Sequence, residues 1–296
     1  MALFDAPLLF DGGLGTHLEA LGYDISGPLW SARVLREDPA LVESAHSDFF
    51  AAGAQIATTA SYQITFDVLG GEAESLLRRS VTVASDAARK AGDRHAAHGD
   101  LLVAASIGPY GAGPGRGNEY DGAYGLNRGE LRRWHARRVA VLADTEADFL
   151  LAETIPNVDE AAMLLELLSA QPKPFALSIT GAIAADPMKL SQVIALANQA
   201  PRLGVVGVNC VRPPQAWAVV KALRAGTDKP LLACPNSGEI WDDGVRDWRP
   251  APAGAVGLAE AAAEMRAAGV GLLGGCCRVG PAEIQQLCRS IRFEDK

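Results

Sequence analysis

Long apolar runs are missing from this chain. No stretch reaches the roughly 18 residues that a membrane span requires, and the opening MALFDAPLLFDGG has no basic segment ahead of its short apolar run. A cytoplasmic protein without a membrane partner is expected. Basic charge is also short: 27 Lys and Arg against 35 Asp and Glu leave a formal net charge of −8. That excludes a nucleic-acid partner, whose phosphates are gripped by clustered cations. The richest basic stretch, Arg128 to Arg138, alternates with apolar residues at helical spacing and reads as the solvated face of a helix. Cysteine is scarce and odd in number, five in 296 residues with two adjacent, which is not the paired framework of a small secreted domain. Reduced thiols are expected. Nucleotide-binding loops are lacking too: DGGLGTH at 11–17 does not have the G-x-G-x-x-G spacing, and no Walker lysine loop occurs.

What is present is a rhythm. Short apolar runs suited to buried parallel strands recur eight times, at Leu8 to Phe10, Gln55 to Thr59, Leu101 to Ser106, Phe149 to Glu153, Phe175 to Ile179, Val205 to Asn209, Leu231 to Ala233 and Leu272 to Gly275. Amphipathic segments with helix punctuation lie between most of them: Asp38-Pro39 opens one that Gly53 closes, and Asp186-Pro187 opens another. Eight β-then-α repeats with short connections close into a single (β/α)8 barrel, here one domain over residues 1–296, with an open doubly wound sheet as the alternative.

In such a barrel the C-terminal ends of the strands form the active-site mouth. Asp11, Thr58, Thr59, Ser106, Glu153, Asn209, Cys210, Asn236, Cys276 and Cys277 all fall at or just past those ends. Two Gly- and Pro-rich loops follow the same edge, Gly108 to Arg128 and Pro235 to Gly254, and are candidate lids. None of the histidines, at 17, 46, 95, 98 and 135, reaches a strand end, so a hydrolase with His and carboxylate ligands is disfavoured. His17 is expected to make a surface or cap contact.

Cys210 ends the sixth run and Cys276-Cys277 ends the eighth, so three thiols can converge across the rim. Three sulfur ligands suit Zn²⁺ and leave its fourth position open, the pattern of a catalytic site. A thiolate-rich metal is poor at activating water. It is well suited to binding a substrate sulfur and lowering its pKa from about 8.5, so that it attacks an alkyl group. Gly274 and Gly275 would let ligands or backbone crowd the metal, and Cys288 and Cys234 read as core cysteines. Asp11 alone reads equally as a turn residue, and Glu153 as a helix-start charge. Trp30, Tyr62, Tyr110, Tyr120, Tyr124 and Trp241 can wall a cation or pack loops; Trp30 is singled out as a substrate contact.

The chain resembles the homocysteine S-methyltransferase family, most closely its S-methylmethionine-dependent branch. The resemblance rests on DGGLGTHLE at 11–19, GPLWSA at 27–32, TTASYQ at 58–63, SIGPYGA at 106–112, NEYDGAYG at 118–125, GVNC at 207–210, PNSGEIWD at 235–242 and GGCCR at 274–278. It implies zinc on Cys210, Cys276 and Cys277 and methyl transfer from a sulfonium donor to homocysteine, giving methionine. It also implies that Asp11 and Glu153 hold the homocysteine amino group and that Thr59 contacts substrate. Betaine-using relatives are longer and have a tyrosine where this chain has Thr154, and corrinoid-dependent ones need further modules. S-adenosylmethionine or betaine as donor, selenocysteine or another thiol as acceptor, and a zinc- or thiol-sensing barrel without catalysis are the alternatives.

Overall fold

The structure, a computed structural model, describes residues 3–4, 7–25, 29–92, 101–113, 118–242, 247–251 and 254–294. His95 and His98 lie outside the described residues, as do parts of both candidate lids and the first two residues of GPLWSA. All eight expected strands form: β1 (Leu8–Leu9), β2 (Ile56–Thr58), β3 (Leu102–Ile107), β4 (Phe149–Ile155), β5 (Phe175–Ile179), β6 (Leu203–Asn209), β7 (Leu231–Cys234) and, after an intervening hairpin of β8 (Ile240–Asp242) and β9 (Asp247–Arg249), β10 (Leu272–Leu273). The eight pair in parallel in the order β1-β10-β7-β6-β5-β4-β3-β2, and a parallel bridge between Phe10 and Ile56 brings the two ends of that order together. This is a (β/α)8 barrel. The hairpin was not visible in the sequence, and it occupies the second candidate lid.

Helices cover the outside, started by the residues that favour such starts. The Asp38 carboxylate accepts from the Leu41 N–H at 3.1 Å ahead of the helix Pro39–Ala51, and Asp186 accepts from Met188 N–H at 2.9 Å ahead of Pro187–Gln199. Asn127 and Glu130 form a reciprocal capping box at the head of Arg128–Ala143. On that helix Arg128, Arg132, Arg133 and Arg137 are exposed, as expected, but Arg138 is only 1% exposed. Its guanidinium lies over the Trp134 ring and donates to the Gly108 carbonyl, with Glu160 as the nearby counter-charge. One cation of the supposed surface face is therefore an interior strut. No described helix is long and apolar enough to cross a membrane.

Strand alternation explains the interior. Phe10, Ile56, Ala104, Leu151, Ala176, Leu232 and Leu272 belong to an apolar plug that the Phe4 and Phe149 rings close by edge-to-face contact at 5.1 Å. Two residues further along each strand, on the same inward face, come Thr58, Ser106, Glu153, Ser178 and Cys234. The barrel thus changes from hydrocarbon to polar in one layer, and Thr58, Glu153, Ser178 and Cys234 of that layer line a cavity of about 1390 Å³.

Candidate active site

Asp11 leaves β1 and is 2% exposed. Its carboxylate accepts from the Thr58 N–H at 2.7 Å and the Thr58 hydroxyl at 2.9 Å. Burial pushes its pKa up to about 8 against those two bonds, and the charge of Glu153 adds to the rise. Glu153 accepts from the Ser106 hydroxyl and, at 3.3 Å, from Asn209 Nδ2; burial pushes it up to about 7, opposed by the Ser106 bond and reinforced by Cys210. Neither carboxylate has a cationic side chain as partner in these bonds. A positive group entering the cavity would favour their ionised forms.

Thr59 is also on the cavity wall, 3% exposed, but its hydroxyl is largely engaged. Ser61 donates to the Ser106 carbonyl at 2.7 Å, so the 2.7 Å contact between Thr59 and Ser61 must be donated by Thr59. The same oxygen accepts from the Ser106 N–H at 3.0 Å. What Thr59 offers a ligand is a lone pair rather than a proton. Trp30 lines the outer part of the cavity, 38% exposed.

The thiols converge as the spacing implied. The Sγ atoms of Cys210, Cys276 and Cys277 lie within 4.8 Å of one another, with Cys210 and Cys277 at 3.5 Å, and no disulfide forms. The cluster is compatible with a metal ion. Hydrogen bonds from Cys276 and Cys277, and a further one from Tyr120, hold the Cys210 thiol well below the ordinary range, while the same contacts with Cys210 push Cys276 and Cys277 up. Cys234 lines the cavity but is not in the cluster; burial raises its pKa, helped by the charges of Asp11 and Glu153. Cys288 sits on the helix Pro281–Glu294 against Gly53.

The two glycines before Cys276 allow close packing of the turn itself. A Cβ on Gly274 would collide with the Phe10 side chain, and one on Gly275 with Val279 Cγ1. They let the turn after β10 fold tightly onto Phe10 at the end of β1 and onto Val279 in the loop ahead of the next helix, which aims the cysteines. Gly275 N–H donates to the Asp11 carbonyl at 3.0 Å, Cys276 N–H to Pro235 at 2.8 Å, and Cys277 N–H to Asn236 Oδ1 at 3.2 Å.

Four non-glycine residues among those described have positive φ: Trp30, Thr154, Cys210 and Arg278, at 42°, 59°, 56° and 63°. All four line this cavity. Strain of this kind, costing about 1–3 kcal/mol per residue, persists where the surroundings over-determine it. At Cys210 it turns the side chain off the end of β6 toward its two partners.

Several contributors were not assigned roles from the sequence, apart from Tyr120, a candidate cation wall or loop-packing residue. Asn209 was noted only as a rim residue, yet its amide bridges β4, β5 and β6. Glu239 and Arg278 pair at 2.8 Å across the mouth. Glu119 and Tyr120, in NEYDGAYG, line the wall; the Tyr120 hydroxyl is 3.3 Å from Cys210 Sγ. Burial pushes Glu119 up to about 7, with Cys210 adding and Tyr120 opposing. The motif was the available signal, but nothing in its spacing said which side chain would face inward. Tyr110 and Tyr124 instead stack with each other and, through Tyr110, with Trp134, as loop packing; the Trp241 side chain lies outside the described residues. His17 bonds Asp48 at 2.9 Å at the edge of the surface, its ring half-buried edge-on against Phe49, and has no part in the cavity's polar cluster.

The sequence profile described as homocysteine S-methyltransferase matches residues 8–291. Homocysteine S-methyltransferase 4 of Zea mays is 39% identical, the match covering 95% of this chain and 88% of that protein. The homocysteine S-methyltransferase of Escherichia coli (strain K12) is 38% identical, covering 95% and 94%. Among solved structures, the metallated form of the homocysteine methyltransferase MmuM from Escherichia coli superimposes with a TM-score of 0.85 at 36% identity, covering 96% of each chain.

Proposed function

The chain belongs to the homocysteine S-methyltransferase family and is an enzyme that methylates homocysteine; from that premise we propose a sulfonium donor and a zinc site made by Cys210, Cys276 and Cys277. S-methylmethionine is the preferred donor, ahead of S-adenosylmethionine, and methionine is the product. The observation that carries the metal assignment is the convergence of three free thiols within 4.8 Å. The donor set fits the ion: zinc–sulfur bonds of about 2.3 Å in a tetrahedron put sulfurs roughly 3.8 Å apart, close to the 3.5 Å between Cys210 and Cys277. Bound there, zinc would act as a Lewis acid that lowers the pKa of the homocysteine thiol, so that it reacts as a thiolate.

The chain's own residues orient the acceptor. Asp11 and Glu153 take the ammonium of homocysteine, which supplies the positive charge that both buried carboxylates lack, and the Thr59 lone pair can accept a third N–H. The apolar plug beneath them excludes water from the floor. Trp30 shields the outer side. Residues 1–296 act as one homocysteine-binding barrel domain working on small molecules, with no corrinoid or folate module required. Donor size favours S-methylmethionine, because no glycine loop for an adenosine moiety occurs in the sequence. Betaine lacks its tyrosine at Thr154.

The test is methionine formation by the reduced, zinc-loaded protein from L-homocysteine with S-methylmethionine, S-adenosylmethionine or betaine in parallel, beside Cys276→Ala. Turnover ranked in that order and lost in the variant is expected. One equivalent of bound zinc with betaine as the best donor would overturn the donor assignment, and full activity in Cys276→Ala would overturn the metal site.

A further inference from the structure

The loop between β3 and the helix Arg128–Ala143 places in the cavity a carboxylate that has no task in the acceptor scheme. Glu119 lines the wall, and no ion pair joins it to any described cation. Its charge bears on Tyr62, Tyr120 and Cys277, and Cys210 bears on it. Glu119 is therefore within electrostatic reach of the thiol cluster, and its neighbour Tyr120 is tied to that cluster by the 3.3 Å contact with Cys210 Sγ, whereas Asp11 is bonded to Thr58. Tyr62 and Tyr120 line the same cavity, and each lies within electrostatic reach of the other. The Tyr62 ring lies on Gly108, where a Cβ would come within 2.7 Å of it.

The loop that carries Glu119 is fixed to its surroundings. Ala182 N–H donates to the Tyr120 carbonyl at 2.8 Å, and Asn157 Nδ2 donates to the Gly122 carbonyl at 2.8 Å. A Cβ on Gly181 would collide with that Tyr120 carbonyl. Two neighbouring strand-end turns thus hold residues 120–122 at the rim. The backbone that carries Glu119 is thereby fixed, and its carboxylate lines the same cavity as the three cysteines and the Tyr62 and Tyr120 rings.

We propose that Glu119, with the Tyr62 and Tyr120 rings, forms the subsite that holds the positive charge of the methyl donor, and that it selects cationic donors over neutral ones. This rests on the sulfonium reading above. In the transfer, an electron pair of the acceptor thiolate forms the new S–C bond, while the old S–C pair returns to the donor sulfur, which leaves as a neutral thioether. The donor's positive charge and the acceptor's negative charge vanish together, and no co-reactant is needed. A carboxylate and ring faces beside the sulfonium stabilise the charged ground state more than the transition state, in which the charge is already dispersing. Glu119 therefore captures the donor and lets the neutral product go, and it does not speed the chemical step.

The kinetic signature is specific. Glu119→Gln, which keeps size and shape, is expected to raise the donor KM about tenfold with kcat within about threefold of wild type and the homocysteine KM unchanged. Binding is read separately with two unreactive amino acids matched in shape, one ending in trimethylammonium and the other in tert-butyl. Wild type is expected to bind the cation about tenfold more tightly than its neutral twin, Glu119→Gln to bind both alike, and Glu119→Asp to keep part of the preference. An unchanged donor KM and cation preference in Glu119→Gln would overturn the proposal, as would a rise confined to the homocysteine KM. If wild type makes no methionine from any sulfonium, the donor reading fails, and the binding arm still decides whether Glu119 forms a cation subsite.

Discussion

Asn209 and Thr154 are joined by two hydrogen bonds: the Asn209 amide oxygen accepts from the Thr154 N–H at 2.8 Å, and the Asn209 amide nitrogen donates to the Thr154 hydroxyl at 2.8 Å. The same side chain accepts from the Ser178 hydroxyl at 2.8 Å and reaches Glu153 at 3.3 Å. Both oxygen lone pairs and both amide protons are engaged, so this one residue locks the ends of β4, β5 and β6 and holds Thr154 at its positive φ.

Asn209→Ala would strip that lock and leave the Thr154 N–H buried without an acceptor. A loss of about 2–4 kcal/mol is expected in urea unfolding, from two or more orphaned groups at about 1–3 kcal/mol each. The homocysteine KM should rise as Glu153 loses its support. A loss below about 0.5 kcal/mol, the usual range for a surface substitution, would mean that water replaces the amide.

Gly275→Ala tests whether the glycines before the cysteines shape the turn. The added methyl meets Val279, so the Cys276–Cys277 turn must shift, and zinc affinity in chelator competition is expected to fall at least about tenfold. Gly271→Ala is the control, since nothing lies within 4 Å of the methyl it would add. Equal zinc affinity in the two variants would show that the turn tolerates the bulk.

Glu160 is fully buried, accepting from the Tyr110 N–H at 2.6 Å and from His135 Nε2, which burial keeps neutral, at 2.8 Å. Its charge offsets the interior cation Arg138. Glu160→Gln is expected to cost about 3–5 kcal/mol, the usual loss when one partner of a buried pair is removed. Adding Arg138→Met should recover part of it in a double-mutant cycle. Purely additive losses would show that the two do not interact.

His46 gives the pH dependence. It lies in the helix Pro39–Ala51, fully buried, and neither ring nitrogen has a hydrogen-bond partner. Desolvation lowers its pKa from 6.5 to about 4. Between those values the unfolded chain binds a proton that the folded chain does not, so stability falls as pH drops from about 6.5 to 4 and is unaffected by this group above 6.5. At 1.36 kcal/mol per unit the contribution reaches about 3 kcal/mol. His46→Leu should flatten the urea-unfolding curve across that window, and parallel curves for the two proteins would remove His46 as the cause.

Much of this was legible in the sequence for simple reasons. Each barrel strand is buried on both faces, so it appears as a short apolar run, and the eight runs coincide with the eight strands to within two residues at most ends. The three thiols were legible because strand ends fix where residues go. The hairpin of β8 and β9 was not, because its pairing lies in a loop where no core imposes alternation. Arg138 was misread because helical spacing shows which residues share a face, but not whether a neighbouring loop covers that face. Glu119 needed the loop's path around Gly122 and Gly181, which no local pattern encodes.

The seam where Leu8 pairs with Leu272 makes completeness a condition of chemistry. Cys276 and Cys277 follow β10, which wedges between β1 and β7, so a nascent chain emerging from the ribosome has neither a closed ring nor a three-thiol cluster until β10 and the turn after it are made. A copy terminated before β10 would keep only Cys210 of the three clustered thiols. Such a fragment would lack the three-thiol cluster altogether, so a truncated copy is expected to be inert and not a half-functioning enzyme.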